Sequence, residues 1–224
     1  WRRRSETRGV GLSLTASPTR SMLILVGLGN PGPKHAKNRH NFGFMAAEEI
    51  ARRYGFSAAR SRFQSYVSSG VIGGEKTLLL RPKTFMNLSG RAVGSAVRFH
   101  KIKARNVIVM HDELDLVLGK VRVKHGGGAG GHNGLRSLDS NIGKDYGRIR
   151  LGIGHPGDKH KVERYVLSDF HKSEIDDVRG VVDAIAEALP ILVEGDEAGF
   201  MTRVALNHPP PKPKVKSNTE TEKD

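Results

Sequence analysis

The chain has 224 residues and a formal net charge of +14, from 37 Lys and Arg against 23 Asp and Glu. It contains no cysteine, which excludes a disulfide framework, a thiolate nucleophile and a cysteine-bound metal centre, and which suits a cytoplasmic protein. Its apolar runs are far shorter than the roughly 18 residues that a membrane helix needs. Residues 22–208 alone carry a net charge of +9, so the folded part favours a polyanionic partner such as nucleic acid.

The predicted elements begin after residue 21. Residues 1–21 contain five Arg and lack apolar periodicity, so we interpret them as a non-native extension, with a transit peptide as the alternative. Helices are predicted where apolar residues recur near a period of 3.6, and strands where they run continuously or alternate. In chain order these are a strand over Leu23–Val26, a helix over Phe42–Tyr54, a hairpin of Phe63–Ile72 and Thr77–Leu80, a helix over Leu88–His100, a buried strand over Asn106–Met110, a strand over Lys120–Lys124, a short helix over Leu135–Ile142, a strand over Arg148–Ile153 and a helix capped by Ser173.

This order of elements predicts one α/β domain over residues 22–208, with a twisted mixed sheet flanked by helices. Residues 209–224 are rich in Pro and Lys and are predicted to form a disordered tail.

The first polar motif follows the first predicted strand. Gly27 to Gly32 matches the dinucleotide-binding pattern G-x-G-x-x-G, but Pro31 and Pro33 disfavour the helix that has to open inside such a loop. No acidic residue ends a second strand about 20 residues further on. We therefore interpret the segment as a turn that puts Asn30 at the carboxyl edge of a strand, where α/β proteins bind ligands. A nicotinamide-dependent oxidoreductase is the alternative.

More polar side chains fall at other predicted loop mouths. His40 and Asn41 precede a helix, Asn87 stands where its default role is to cap the next helix, and Asp112 directly follows a buried strand. Acids at that point suggest either a metal site or a carboxylate that orients a histidine. The chain has no H-x-x-x-H pair and no calcium-loop spacing, which argues against metal.

A glycine-rich segment follows the Lys120–Lys124 strand. Residues 126–131 contain five glycines in six positions. Such a run indicates close approach of a ligand or of another chain segment, and its exposed N–H groups can bind anions. A flexible connection is the alternative.

These residue types suit hydrolysis without a covalent intermediate. The chain has no G-x-S-x-G motif and no cysteine, so a nucleophile for acyl transfer is missing. A histidine can take a proton from water, an aspartate can fix its tautomer, and asparagine amides can donate to a developing oxyanion. This set suits an activated ester. Five basic residues on two predicted strands can bind phosphates nearby: Lys120, Arg122, Lys124, Arg148 and Arg150. A non-catalytic RNA-binding protein is the second alternative.

Six motifs, in this order, resemble those of the bacterial-type peptidyl-tRNA hydrolase family: Gly29-Asn30-Pro31-Gly32, Arg39-His40-Asn41, Thr84 to Gly90, His111 to Leu116, Gly130 to Gly134 and Gly152 to Pro156. The resemblance spans about residues 22–208. It implies a monomeric, cytoplasmic enzyme that hydrolyses the ester between a peptide and the 3′ end of tRNA, with no metal, no cofactor, no membrane association and no obligate protein partner.

The resemblance also implies roles for individual residues. His40 would be the general base, Asp112 would keep it in its basic form, and Asn30 would help to restrict the substrate to acylated amines. The substrate ester would be positioned by Asn87 and Asn133, in a cleft lined by Phe85, Met86 and His132. Arg122, Lys124 and Arg150 match positions that bind tRNA phosphate. The family typically has Tyr where this chain has His35, and often Lys in place of Arg122.

Overall fold

The computed structural model describes residues 22–210. The sequence-based predictions for residues 1–21, and for all but the first two residues of the 209–224 tail, lie outside this range. The strands are β1 (Leu23–Gly27), β2 (Arg60–Arg62), β3 (Ser65–Ile72), β4 (Glu75–Pro82), β5 (Val107–Glu113), β6 (Val121–His125) and β7 (Gly147–Gly152). The α-helices are α1 (Phe42–Arg53), α2 (Ser89–Phe99), α3 (Asn133–Ile142), α4 (Val162–Val166), α5 (Ile175–Val193) and α6 (Glu197–Asn207).

All seven strands belong to one sheet, in the order β2-β3-β4-β1-β5-β7-β6. The central strands β4, β1, β5 and β7 are parallel, whereas β2, β3 and β6 pair antiparallel with their neighbours. The prediction of an α/β fold with a mixed sheet flanked by helices is therefore confirmed. Because the carboxyl ends of parallel strands meet at one edge of a sheet, the loops that follow β1, β4 and β5 converge there.

Two apolar layers cover the sheet. Alternate residues of each strand point to opposite faces, so Leu25 and Leu79 pack with α1, α5 and α6 while Ile24 and Leu80 pack with α2 and α3. The antiparallel turn between β3 and β4 uses two glycines at positive φ, as the predicted hairpin requires. Among residues 22–210, no helix has the length and apolar character needed to cross a bilayer.

Several predicted boundaries were wrong. β5 continues to Glu113, so Asp112 lies inside the strand and not after it. Ser173 is not the cap of α5, because His171 caps the 3-10 turn that precedes this helix and completes a capping box with Glu174. Asn87 does not cap α2, because Leu88 stands at the N-cap position; the backbone N–H of Gly90 donates instead to Ser137 Oγ of α3, at 2.9 Å. One strand and two α-helices were not predicted from the sequence: β2, α4 and α6.

Two glycines allow helix α1 to start unusually close to the sheet. A Cβ atom on Gly43 would lie 2.3 Å from the carbonyl oxygen of Met110, and one on Gly27 would lie 2.3 Å from the carbonyl oxygen of Gly43. The start of α1 therefore sits directly against β1 and β5. This packing brings the His40 turn, which leads into α1, to the end of β5 that carries Asp112.

Candidate active site

A buried carboxylate lies between two histidines at the carboxyl end of β5. Nδ1 of His40 is 2.9 Å from both carboxylate oxygens of Asp112, and Nε2 of His132 is 3.0 Å from Oδ1. The two rings are tilted, with centroids 4.9 Å apart. His40 is 8% exposed and Asp112 is 4% exposed, so these hydrogen bonds are shielded from bulk water. With Nδ1 of His40 donating to Asp112, its Nε2 is left to interact with a molecule in the cleft.

The start of helix α3 fixes the tautomer of His132. Its Nδ1 accepts hydrogen bonds from the backbone N–H groups of Gly134 at 3.1 Å and Leu135 at 3.4 Å. Because Nδ1 accepts, the ring proton is on Nε2, which donates to Asp112. His132 is therefore both the N-cap of α3 and a fixed donor to the carboxylate.

Burial and the carboxylate act in opposite directions on the pKa of His40. Burial lowers this pKa, but the charge of Asp112 and its hydrogen bond raise it more, so the pKa lies above the usual 6.5. Burial raises the pKa of Asp112, whereas the two histidines lower it well below its usual range. Asp112 is thus ionised throughout the physiological range and can accept from both rings at once.

Asn30 is held in one orientation by a second buried asparagine. Asn41 accepts from the backbone N–H of Asn30 through Oδ1 and donates to its carbonyl oxygen through Nδ2, both at 2.9 Å. The side-chain oxygen of Asn30 accepts from the backbone N–H of Met86 at 2.8 Å. The amide NH₂ of Asn30 therefore remains free to donate to a ligand in the cleft.

These side chains line a cleft of about 710 Å³. Of the residues singled out from the sequence, the structure brings eight together there: Asn30, His40, Phe85, Met86, Asn87, Asp112, His132 and Asn133. Phe85 is 60% exposed and lies at the rim of this cleft. Asn133 accepts from Arg136 through Oδ1, which leaves its NH₂ available. The amides of Asn87 and Asn133 are both exposed at this cleft.

The glycine-rich segment owes its composition to backbone conformation more than to close contact. Gly126, Gly127, Gly130 and Gly131 all have positive φ, and a Cβ on Gly128, Gly130 or Gly131 would meet nothing within 4 Å. The buried Arg148 donates to the carbonyl oxygens of Gly127 and Gly128 at 2.8 Å. This arginine therefore fastens the loop that delivers His132 and Asn133 to the cleft.

His40, Asp112 and His132 have the ligand types of a metal site, with donor atoms within 4.8 Å of one another. The hydrogen bonds do not fit that role. A metal between the rings would need the lone pair of His132 Nε2, which would move the proton to Nδ1, against the N–H groups of Gly134 and Leu135. The cluster fits a hydrogen-bonded triad better than a metal site.

Comparison with known proteins agrees with this geometry. The family model described as peptidyl-tRNA hydrolase matches residues 24–214. A peptidyl-tRNA hydrolase of Parvibaculum lavamentivorans is 56% identical over 199 residues, which are 87% of this chain and 97% of the relative. One of Rhodospirillum centenum is 55% identical, over 85% of this chain and 84% of the relative. The crystal structure of peptidyl-tRNA hydrolase from Acinetobacter baumannii superposes with a TM-score of 0.78 at 38% identity, covering 84% of this chain and 97% of that one.

The chain belongs to the peptidyl-tRNA hydrolase family.

Membership of the peptidyl-tRNA hydrolase family leaves the nicotinamide alternative without support. The structure gives a local reason, since the close packing of α1 against Gly27 by itself accounts for a glycine at this position. The loop after β1 continues into a 3-10 turn at Pro33–His35, with no α-helix opening among its glycines.

Four of the residues matched to the peptidyl-tRNA hydrolase family lie outside the cleft: His35, Arg122, Lys124 and Arg150. His35 bonds to Asn38 at 2.9 Å, within its own loop. Arg122 faces Arg150 across the antiparallel pair of β6 and β7. Arg150 donates to Glu113 at 2.8 Å, so part of its charge is already balanced.

Two residues of the site had no role assigned from the sequence. Asn41 was quoted in a motif, but only the structure shows that both of its amide atoms fix the backbone of Asn30. His111 is fully buried, and its Nδ1 donates to the carbonyl oxygen of Asp112 at 2.8 Å. Burial lowers the pKa of His111 to about 3, so it is neutral at physiological pH. Its place at the start of the motif His111 to Leu116, next to Asp112, was the available signal.

Proposed function

We propose that the cleft hydrolyses the ester that joins a peptide to the 3′ end of tRNA, with His40 as the general base and no metal or cofactor. The observation that carries the assignment is the bond from His40 Nδ1 to the ionised Asp112, because it leaves Nε2 as the basic nitrogen facing the cleft. Membership of the peptidyl-tRNA hydrolase family supports the substrate class.

In the proposed reaction, His40 Nε2 takes a proton from a water molecule as that water attacks the ester carbonyl carbon. Asp112 stabilises the imidazolium that forms, without itself becoming protonated. The tetrahedral intermediate then collapses, the bond to the ribose oxygen breaks, and the imidazolium returns its proton to the leaving hydroxyl. The tRNA leaves with a free 3′ hydroxyl, and the peptide leaves as a carboxylic acid that releases the second proton of the water to solvent and becomes a carboxylate, so both protons of the water are accounted for.

The asparagine amides are proposed to bind the acyl part of the substrate. Asn30 has its oxygen engaged by Met86 and offers only N–H donors, so it suits a carbonyl oxygen. A blocked amino terminus supplies such a carbonyl, whereas a free ammonium group would be repelled by those donors. Asn87 and Asn133 can donate to the ester oxygen as its negative charge grows.

The β6–β7 face is proposed to bind tRNA phosphates. Arg122 pairs across the strands with Arg150, and Lys124 with Arg148. Arg148 is buried and bound to Gly127, Gly128 and Asp139, so it is not available to a phosphate, contrary to the sequence-based prediction. Arg122 and Lys124 are exposed and take part in no ion pair among residues 22–210, so their charges favour a polyanionic ligand. Replacing Arg122 and Lys124 together by Gln should raise KM and flatten its salt dependence while kcat changes little. An unchanged salt dependence would place the phosphates elsewhere.

Turnover of N-acetyl-aminoacyl-tRNA tests the proposed function. The wild-type chain should release the blocked amino acid in the presence of a chelator, and it should spare aminoacyl-tRNA with a free amine. His40→Ala should lose about 10²–10⁴-fold in kcat, which is what a general base contributes, and still bind tRNA. Wild-type turnover by His40→Ala would overturn the assignment. The unit tested is proposed to be a monomer, as the resemblance to the family implies.

A further inference from the structure

The positive charge of the folded part is concentrated in one stretch of the chain. Residues 55–110 hold ten Lys and Arg against one Glu, a net charge of +9. Residues 111–208 hold thirteen Lys and Arg against sixteen Asp and Glu, a net charge of −3. The proposed tRNA-binding strands β6 and β7 belong to the second stretch. The more basic stretch contributes only Phe85, Met86 and Asn87 to the proposed function, so most of its charge has no role there.

Within the basic stretch, two aromatic rings enclose one guanidinium at the surface. Cζ of Arg62 lies 4.3 Å from the ring centroid of Phe99 and 4.6 Å from that of Phe63, and the two rings are 5.2 Å apart. Phe99 is 58% exposed at the end of α2. An exposed ring beside a stacked guanidinium gives a flat surface for a nucleobase, with N–H donors at its edge for phosphate or base oxygens.

Exposed lysines flank this cluster. Lys101 and Lys103 follow directly after α2, and both are exposed. Among residues 22–210, neither they nor Arg62 takes part in an ion pair, so their charges are not balanced by acidic side chains. We call the set of Arg62, Phe63, Phe99, Lys101 and Lys103 the Phe99 surface.

Backbone conformation singles out the same place. In the described part of the chain, three residues other than glycine have positive φ: Phe63 at 52°, Gln64 at 52° and Lys101 at 53°. Two belong to the Phe99 surface, and the third adjoins Phe63. These angles belong to two tight turns: Phe63 and Gln64 form the two-residue turn between β2 and β3, and Lys101 is the left-handed residue that ends α2. The two turns fix where Phe63 and Lys101 stand beside Phe99.

We propose that the Phe99 surface binds unpaired RNA from a chain other than the tRNA whose ester lies in the cleft. Its charge is complementary to a polyanion, and its exposed ring can stack on bases that a duplex would hide. The surface begins at β2, whereas Arg122 and Lys124 lie on β6. These strands are the two edges of the sheet, six strand spacings or about 29 Å apart. This inference depends on the proposed function in one respect: it assumes that the ester of the substrate tRNA binds in the cleft.

The test measures binding of a fluorescently labelled oligouridylate to the full chain, by anisotropy, with saturating deacylated tRNA present. Binding should persist under these conditions. Phe99→Ala should weaken it about 5- to 100-fold, the usual effect of removing a stacking ring, and Phe99→Leu should weaken it similarly because leucine restores bulk without a ring. Replacing Lys101 and Lys103 by Gln should reduce the slope of log affinity against log salt by about 1.4.

A matched control removes the same charge from the other side of the sheet. Arg179 and Arg203 are exposed on α5 and α6, and replacing both by Gln should leave oligouridylate binding nearly unchanged. Hydrolysis of N-acetyl-aminoacyl-tRNA should keep its wild-type kcat in the Phe99 and lysine variants, which also shows that these variants fold.

Three results would overturn the proposal. Wild-type oligouridylate affinity in Phe99→Ala would remove the surface as a base-stacking site. Complete competition by tRNA, or a raised KM for ester hydrolysis in the lysine variant, would assign the surface to the substrate tRNA instead. If the wild-type chain hydrolysed its substrate but did not bind oligouridylate, the surface would not be an RNA site, and its positive charge would then favour an acidic protein as the partner. Each outcome is separate from failure of the proposed function, which would appear as loss of hydrolysis by the wild-type chain.

Discussion

Replacement of Asp112 by Asn should reverse the tautomer of His40. The carboxylate accepts from both His40 and His132, whereas an amide offers one oxygen and one NH₂ group. The backbone N–H of Gly134 keeps the proton of His132 on Nε2, so the amide oxygen has to face His132. The NH₂ group is then left to face His40. His40 can meet it only by accepting at Nδ1, which moves its proton to Nε2, the nitrogen that must be free to take a proton from water.

The expected loss is therefore that of the general base itself. Such catalysis contributes about 10²–10⁴-fold, or roughly 3–5 kcal/mol of transition-state stabilisation. We expect kcat to fall within that range and tRNA affinity to change little. The two effects that raise the pKa of His40 are the charge and the hydrogen bond of Asp112, and both vanish in Asp112→Asn. Burial alone then lowers the pKa, so the residual activity should begin to fall at a lower pH than in the wild type.

Single-turnover hydrolysis of N-acetyl-aminoacyl-tRNA across pH measures the rate, and ¹⁵N chemical shifts of the His40 ring report the tautomer directly. Adding His132→Ala frees the amide to turn its oxygen toward His40. The double variant should therefore be less impaired than the product of the two single effects predicts. Strictly multiplicative effects, or an unchanged tautomer of His40 in Asp112→Asn, would refute the reasoning.

Two further predictions concern residues that position the site. Asn41→Ala removes both hydrogen bonds to the backbone of Asn30, so kcat should fall about tenfold or more and the preference for blocked over free amino termini should weaken. Turnover of N-acetyl-aminoacyl-tRNA and of aminoacyl-tRNA by this variant measures both effects. Wild-type kcat together with an unchanged preference for blocked termini would contradict this prediction. Gly43→Ala places a Cβ against the backbone of β5 and should lower the free energy of unfolding by about 2–3 kcal/mol in urea melts, whereas Gly128→Ala meets open space and should change it far less. Equal effects of the two substitutions would show that the close approach of α1 is not needed.

The fold was largely predictable because its signals are local. Apolar runs gave the central strands within a few residues, and Gly73-Gly74 marked the hairpin. The boundary of β5 was misplaced because Asp112 is a polar residue in a strand end, and residue type alone assigns it to a loop. The short strand β2 has no apolar face at all, since its three residues are Arg60, Ser61 and Arg62, all exposed. Its pairing depends on β3, which is tertiary information.

The members of the site could be named from motifs, but their hydrogen bonds could not. From its position before a helix, Asn87 was expected by default to cap that helix. In the structure Asn87 does not cap α2, and it is exposed at the cleft. Asn41 looked equivalent to any asparagine before a helix, yet it fixes Asn30 from eleven residues away. The tautomer of His132 depends on where α3 begins, and that is set by the loop fastened through Arg148. Such relations join segments distant in sequence, which local patterns do not encode.

The pH dependence of kcat/KM, which reports ionisations of the free enzyme, tests most directly whether a neutral His40 is the base. Its pKa is raised above 6.5, and only the deprotonated ring accepts a proton from water, so the rate should be low at acid pH and rise with pH through a single ionisation above 6.5. His40→Ala should abolish this limb and leave a low rate. A wild-type limb that survives unchanged in His40→Ala would contradict the account, because another group would then be taking the proton.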